Sequence, residues 1–199
     1  IAEIGAELKK RRVAFHVDAV QAPGLLPLDV KALNVDLMSL SAHKFYGPKG
    51  IGFIYINSRC HIHPFIDGGS QERNMRAGTE NSSGIVGLAK AMQLAYAELE
   101  EDTSHISSLK EYMRQEIRSL CPEAYINGQP EHALYTVLNV SFPPGPYADL
   151  MIMSLDIAGI SVSGGSACSS GAESQSHVLN AIGHPTDRKA VRFSLSRNT

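Results

Sequence analysis

The segment that most constrains this chain runs from Asp36 to Ile56. Asp36-Leu37-Met38-Ser39-Leu40-Ser41 reads as a buried strand, and it runs directly into the small-residue turn Ala42-His43-Lys44. Phe45-Tyr46-Gly47-Pro48-Lys49-Gly50 follows, and its Gly and Pro residues punctuate the chain before a second apolar strand, Ile51 to Ile56. The pattern predicts a sheet whose strand end presents a hydroxyl (Ser41), an imidazole (His43) and an amine (Lys44). A lysine at the end of a buried strand loses solvation, which favours its neutral, nucleophilic form. The plain alternative is a surface lysine that follows a core strand.

The segment upstream bears on that choice. Val13-Ala14-Phe15-His16-Val17 predicts a buried strand that ends on Asp18, with Gln21 three residues on. A carboxylate at the end of a core strand costs free energy unless it has a partner. One partner that would keep it ionised is a protonated pyridine nitrogen, and an amine such as Lys44 can form a Schiff base with the pyridine aldehyde pyridoxal phosphate (PLP). Gln21 would then reach the ring's phenolic oxygen. Asp18 also suits a helix N-cap, since small and apolar residues follow it.

Cys168 lies in Ser163-Gly164-Gly165-Ser166-Ala167-Cys168-Ser169-Ser170-Gly171, a composition that predicts a mobile, exposed loop. A structural cysteine more often sits in an apolar run; Cys60 and Cys121 follow the plainer pattern better, one ending a predicted strand and the other a predicted helix. Exposure permits thiolate chemistry without proving it. Arg192 begins an amphipathic closing segment, where a forked guanidinium suits either a carboxylate ligand or a surface ion pair. Two metal patterns are weaker. Cys60-His61-Ile62-His63 lacks a placed carboxylate, and His16-x-Asp18 lacks a second histidine, so no metal site is expected.

Together these blocks resemble the class V aminotransferase family of PLP enzymes. The carriers are His16-Val17-Asp18-Ala19-Val20-Gln21 and Ser41-Ala42-His43-Lys44-Phe45-Tyr46-Gly47-Pro48-Lys49-Gly50. Gly68-Gly69-Ser70-Gln71-Glu72-Arg73-Asn74-Met75-Arg76-Ala77-Gly78-Thr79-Glu80-Asn81 is similar to the cysteine desulfurase signature, apart from Ser70, where the family usually has a third glycine. The Cys168 block resembles the catalytic loop of those enzymes. The resemblance implies that Lys44 carries PLP and shuttles a proton, helped by His43. It implies that Asp18 and Gln21 hold the ring and that Ser41 and His43 hold the phosphate. Thr79 would complete a neighbouring subunit's phosphate site in a homodimer. Arg192 would bind the carboxylate of L-cysteine. Cys168 would take its sulfur as a persulfide, for an iron–sulfur scaffold or for tRNA thiolation. A selenocysteine lyase, another class V aminotransferase and a non-catalytic fragment are the alternatives.

The implied fold class is α/β. Residues 1–100 would be the carboxyl-side part of a PLP-binding large domain, a mostly parallel sheet flanked by helices. Residues 101–199 would be a smaller α+β domain, with the boundary at the charge run 98–102. The periodicity predicts helices over 1–12, 82–101, 105–120 (capped by Thr103 or Ser104), 148–158 and 175–182. Strands are predicted at 13–17, 36–41, 51–56, 135–142, 160–163 and the closing segment. The chain opens without Met inside an apparent helix, so it is expected to be the carboxyl-terminal part of a longer enzyme. The missing part would carry a phosphate loop, a ring-stacking histidine and an asparagine. A net charge of −2 over 199 residues points to neither nucleic acid nor a membrane surface, and no apolar run approaches a membrane span. Three cysteines, an odd number, argue for free thiols and a reducing, cytoplasmic compartment rather than a disulfide framework.

Overall fold

The computed structural model describes residues 1–128, 133–164 and 176–199. They form two compact units, Ile1–Glu100 and Glu101–Thr199.

The first unit opens with helix α1, Ala2–Lys10. It stops short of the predicted Arg12 because Arg12 turns left-handed at φ 58° and the Val13 N–H returns to the Leu8 carbonyl at 3.0 Å. That turn also uses up the predicted start of the first strand, so β1 is only His16–Asp18. Strand β2, Leu37–Ser41, lies parallel to β1 and pairs His16 with Leu37, Val17 with Met38 and Asp18 with Ser39. Strand β3, Gly52–Ile56, returns antiparallel to β2. The sheet is therefore mixed, where the sequence predicted a mostly parallel one. The reason is the connection: residues 42–51 are too few for the crossover that a parallel neighbour needs.

Alternation gives the sheet two chemically different faces. Met38 and Leu40 point into a core with Ala19 and Val35, against which Phe15, Val17, Tyr55 and Met92 pack. The residues between them, Leu37, Ser39 and Ser41, share the other face with His16 and Asp18. Helix α2, Ser82–Ala97, starts where the sequence places it, because the Asn81 side chain accepts the Gly84 N–H at 3.0 Å as an N-cap.

The second unit is α+β. Helix α3 runs unbroken from Leu99 to Leu120, so Thr103 and Ser104 lie inside it rather than at its start. The break expected within 98–102 falls at Glu98, between the end of α2 and the start of α3, and Glu100-Glu101-Asp102 form an acidic first turn that suits the positive end of the α3 dipole. Asp102 is also held by Arg197 at 2.7 Å. A three-stranded antiparallel sheet follows in the order β4 (Tyr125–Ile126), β5 (Val137–Phe142), β6 (Lys189–Ser194). Leu138, Val140 and Ala124 form its core against Met113 and Ile117 of α3, with Phe193 and Cys121. Helices α4 (Met151–Ile157) and α5 (His177–Ala181) are shorter than predicted. Gly159, at φ 79°, ends the α4 region as the sequence signals. The predicted strand at 160–163 is reduced to one bridge, Ser163 to Arg192.

Candidate active site

The turn that carries His43 and Lys44 is a 3-10 turn, Ala42–Phe45. Its first and last residues are anchors. Ala42 and Phe45 are fully buried with Ala95, and Leu88, Ala91 and Met92 of α2 close around them. The apolar pair at the ends of the turn fixes its position and leaves the two polar residues between them outside. His43 and Lys44 are both exposed. The sequence reading expected Lys44 to lose solvation at a buried strand end. In this chain it does not, because the turn carries it past the last buried strand residue, Leu40.

The other candidates gather at the same end of the sheet. Asp18 is the last residue of β1 and Ser41 the last of β2, and these two strands run parallel. In open α/β sheets ligands bind at the carboxyl ends of such strands. Ser41 Oγ and His43 Nδ1 are 2.9 Å apart. Asp18 Oδ1 accepts the Val20 N–H at 3.0 Å, closing a local turn in place of the helix cap considered from sequence. Gln21 follows in that turn and is exposed. The set offers an amine, an imidazole–hydroxyl pair, a carboxylate and an amide. That is a donor set fit for a phosphorylated pyridine aldehyde: a carboxylate for a ring N–H, hydroxyl and imidazole for a phosphate, an amine for the aldehyde.

Thr79 lies in an exposed loop. The Arg76 guanidinium donates to the Gly78 and Thr79 carbonyls at 3.2 and 3.3 Å, and the Gln71 side chain accepts the Gly78 N–H at 3.1 Å. Ser70 takes φ −82°, a backbone any residue adopts, so the local geometry does not require the family's third glycine there. His61 and His63 are exposed, and no group of three metal-ligating side chains occurs among the described residues.

Arg192 sits within β6, not at its start. It pairs with Asn139 of β5, and its backbone exchanges hydrogen bonds with Ser163 at 2.7 and 3.1 Å. Strand alternation puts it on the face opposite the α3 core. Its Nε is buried with no hydrogen-bond partner among the described residues. A buried guanidinium donor left open is a place for an anionic ligand. Cys168 lies outside the described residues. Cys121 packs in the core of the second unit, and Cys60 closes a turn on the Asn57 carbonyl at 2.8 Å.

Two polar clusters escaped the sequence reading. His16 Nε2 and Ser39 Oγ are 2.8 Å apart on the Asp18 face. The signal was available, because His16 and Asp18 are two apart on one strand. In the second unit the fully buried Ser141 has its Oγ 3.0 Å from His184 Nε2 and accepts from Arg188 Nε at 3.0 Å. Arg188 also stacks on the Tyr125 ring at 4.8 Å. Burial, then the Arg188 charge, pushes the His184 imidazole below its ordinary value. Nothing in the sequence links positions that far apart.

The family model described as aminotransferase class-V matches residues 1–199. Among curated relatives, the cysteine desulfurase IscS of Dictyoglomus turgidum is 43% identical over 201 residues, covering 100% of this chain and 51% of that protein. The cysteine desulfurase IscS of Methanosarcina thermophila is 45% identical over 199 residues, covering 99% of this chain and 49% of its own. The chain thus spans about half the length of the curated relatives it matches. Among solved structures, a NifS-like protein superposes with a TM-score of 0.84 at 38% identity, over 98% of this chain and 50% of that one. A NifS-like protein from Rickettsia africae gives 0.85 at 30% identity, over 100% and 52%.

Proposed function

The chain belongs to the aminotransferase class-V family, and from that premise we propose that it is the carboxyl-side part of a PLP-dependent cysteine desulfurase. The observation that carries this reading is the convergence of Asp18, Ser41, His43 and Lys44 at the carboxyl ends of two parallel strands. The names of the relatives support the choice within the family.

In this reading residues 1–100 belong to the PLP-binding large domain and residues 101–199 to the small domain. Lys44 supplies the amine that holds the coenzyme and later moves the substrate's α-proton. Asp18 would hold the ring nitrogen and Gln21 the phenolic oxygen. Ser41 and His43 would bind the phosphate, completed by Thr79 of a second subunit in a homodimer. Bound PLP supplies an electron sink for the carbon skeleton of the substrate. Arg192 fixes the carboxylate of L-cysteine through a charge-assisted fork. The Cys168 thiolate forms an S–S bond with the substrate sulfur as the substrate's C–S bond breaks, leaving L-alanine and a persulfide. That sulfur passes to an acceptor, such as an iron–sulfur scaffold or a tRNA-thiolation partner. No helix among the described residues is long and apolar enough to cross a membrane, and a thiolate carrier suits the reducing cytoplasm.

The test is product analysis of the longer protein that contains this chain, loaded with PLP and given L-cysteine and a thiol. Equimolar alanine and sulfide are expected. Amino transfer to a keto acid without sulfide would replace this reading with another class V activity. Release from selenocysteine alone would make it a lyase for that substrate.

A further inference from the structure

Asp18 gains little from apolar packing. Strand β1 is three residues long, and only Val17 packs into the apolar core, with His16 and Asp18 exposed on either side. A carboxylate meant to meet a ring nitrogen needs its strand fixed to within a fraction of an ångström. Ser39 lies directly across from Asp18 in the parallel ladder. Its carbonyl accepts the Ala19 N–H at 3.0 Å, one residue after Asp18. Its hydroxyl meets His16 Nε2 at 2.8 Å, two residues before Asp18 on the same face. Asp18 is thus bracketed by two bonds to one serine, and its own Oδ1 is tied forward to the Val20 N–H at 3.0 Å.

We propose that His16 and Ser39 are positioning residues for Asp18: their side-chain hydrogen bond clips the short strand β1 to β2 so that the carboxylate is held toward the ring nitrogen of the coenzyme. The inference rests on the PLP reading above. The clip supplies what apolar packing supplies elsewhere in the sheet. Its chemistry explains the residue types. An imidazole reaches across to a hydroxyl on the neighbouring strand, and a glutamine at 16 could keep that contact where an alanine cannot.

The experiment compares wild type, His16→Ala, His16→Gln, Ser39→Ala and the double variant His16→Ala/Ser39→Ala, as the longer PLP-binding protein. Three readouts are taken: the dissociation constant for PLP, the nitrogen-15 resonance of ring-labelled PLP, and amide exchange at Val20 in the coenzyme-free protein. Losing one neutral hydrogen bond weakens PLP by about 5-fold in either single variant. The double variant is no weaker than the singles, because one bond is lost in all three. The ring-nitrogen resonance moves toward its unprotonated position, and Val20 exchanges faster while Met38 and Leu40 do not change. His16→Gln restores all three readouts. A His16→Ala protein with wild-type affinity, resonance and Val20 exchange overturns the proposal. So does a His16→Gln protein as impaired as His16→Ala, or faster exchange at Met38 and Leu40 as well, which would mark general loosening. A wild-type protein that takes no PLP refutes the parent reading and this one with it, and so is distinguishable from failure of the clip alone.

Discussion

Replacing Arg192 with methionine should weaken substrate binding and leave the second unit at least as stable. The two signs follow from one atom. Arg192 Nε is buried without a hydrogen-bond partner among the described residues, and a buried donor in that state costs the fold about 1–3 kcal/mol. Methionine keeps an apolar stem of similar length and removes the donors, so packing is retained. Because the residue as a whole is only half-buried, the gain should fall at the low end, about 1 kcal/mol. For a unit of this size that is a rise in Tm of about 4–8 °C. In the complete enzyme the same change removes a charge-assisted fork to the substrate carboxylate, which costs about 2–4 kcal/mol. KM for cysteine should then rise by about 30- to 700-fold. Arg192→Lys, which keeps the charge and loses the fork, should fall between. Calorimetric melting and alanine formation against cysteine concentration measure the two effects. A variant that loses 1 kcal/mol or more of stability with KM unchanged would show that Arg192 is an ordinary structural ion-pair residue.

Cys168→Ser should abolish sulfide release and leave PLP binding intact, and wild-type turnover by that variant would rule Cys168 out as the nucleophile. Ser141→Ala should destabilise the second unit by about 1–3 kcal/mol, since it strips a partner from both His184 and Arg188; urea unfolding would show it, and no change would mean the two bonds are not formed in solution. The folded imidazole of His184 titrates below its ordinary value, so the neutral form is the one the fold favours. Its contribution is complete above a pH of about 6.5 and is lost as pH falls through the lowered folded value. His184→Gln should flatten that acid-side loss, and an unchanged pH profile would assign it to other groups.

The parts of the fold that were legible from sequence were those governed by local pattern. The alternation of Leu37 to Ser41, the Gly47-Pro48 turn, the Asn81–Ser82 helix start and the Gly159 stop all act within a few residues. The misreadings arose where a distant partner decided the outcome. The second helix was expected to start near His105, but Arg197, far along the chain, holds Asp102 inside its first turns. The antiparallel return of β3 depended on counting the connection rather than on the strand's own pattern. The candidate site was legible because its residues lie in short blocks that end two neighbouring strands. The exposure of Lys44 was not, since it depends on how Ala42 and Phe45 seat the turn against α2. The His16–Ser39 contact was half legible: alternation put His16 on the face of Asp18, but only the register of β1 against β2 places Ser39 opposite.

The most direct test of the central claim is chemical mapping of the coenzyme. The longer protein is loaded with PLP, reduced with borohydride, digested and analysed by mass spectrometry. The account predicts a single pyridoxyl label on Lys44, with Lys31 and Lys49 unmodified. A label on any other lysine, or none on a protein that binds PLP, would contradict it.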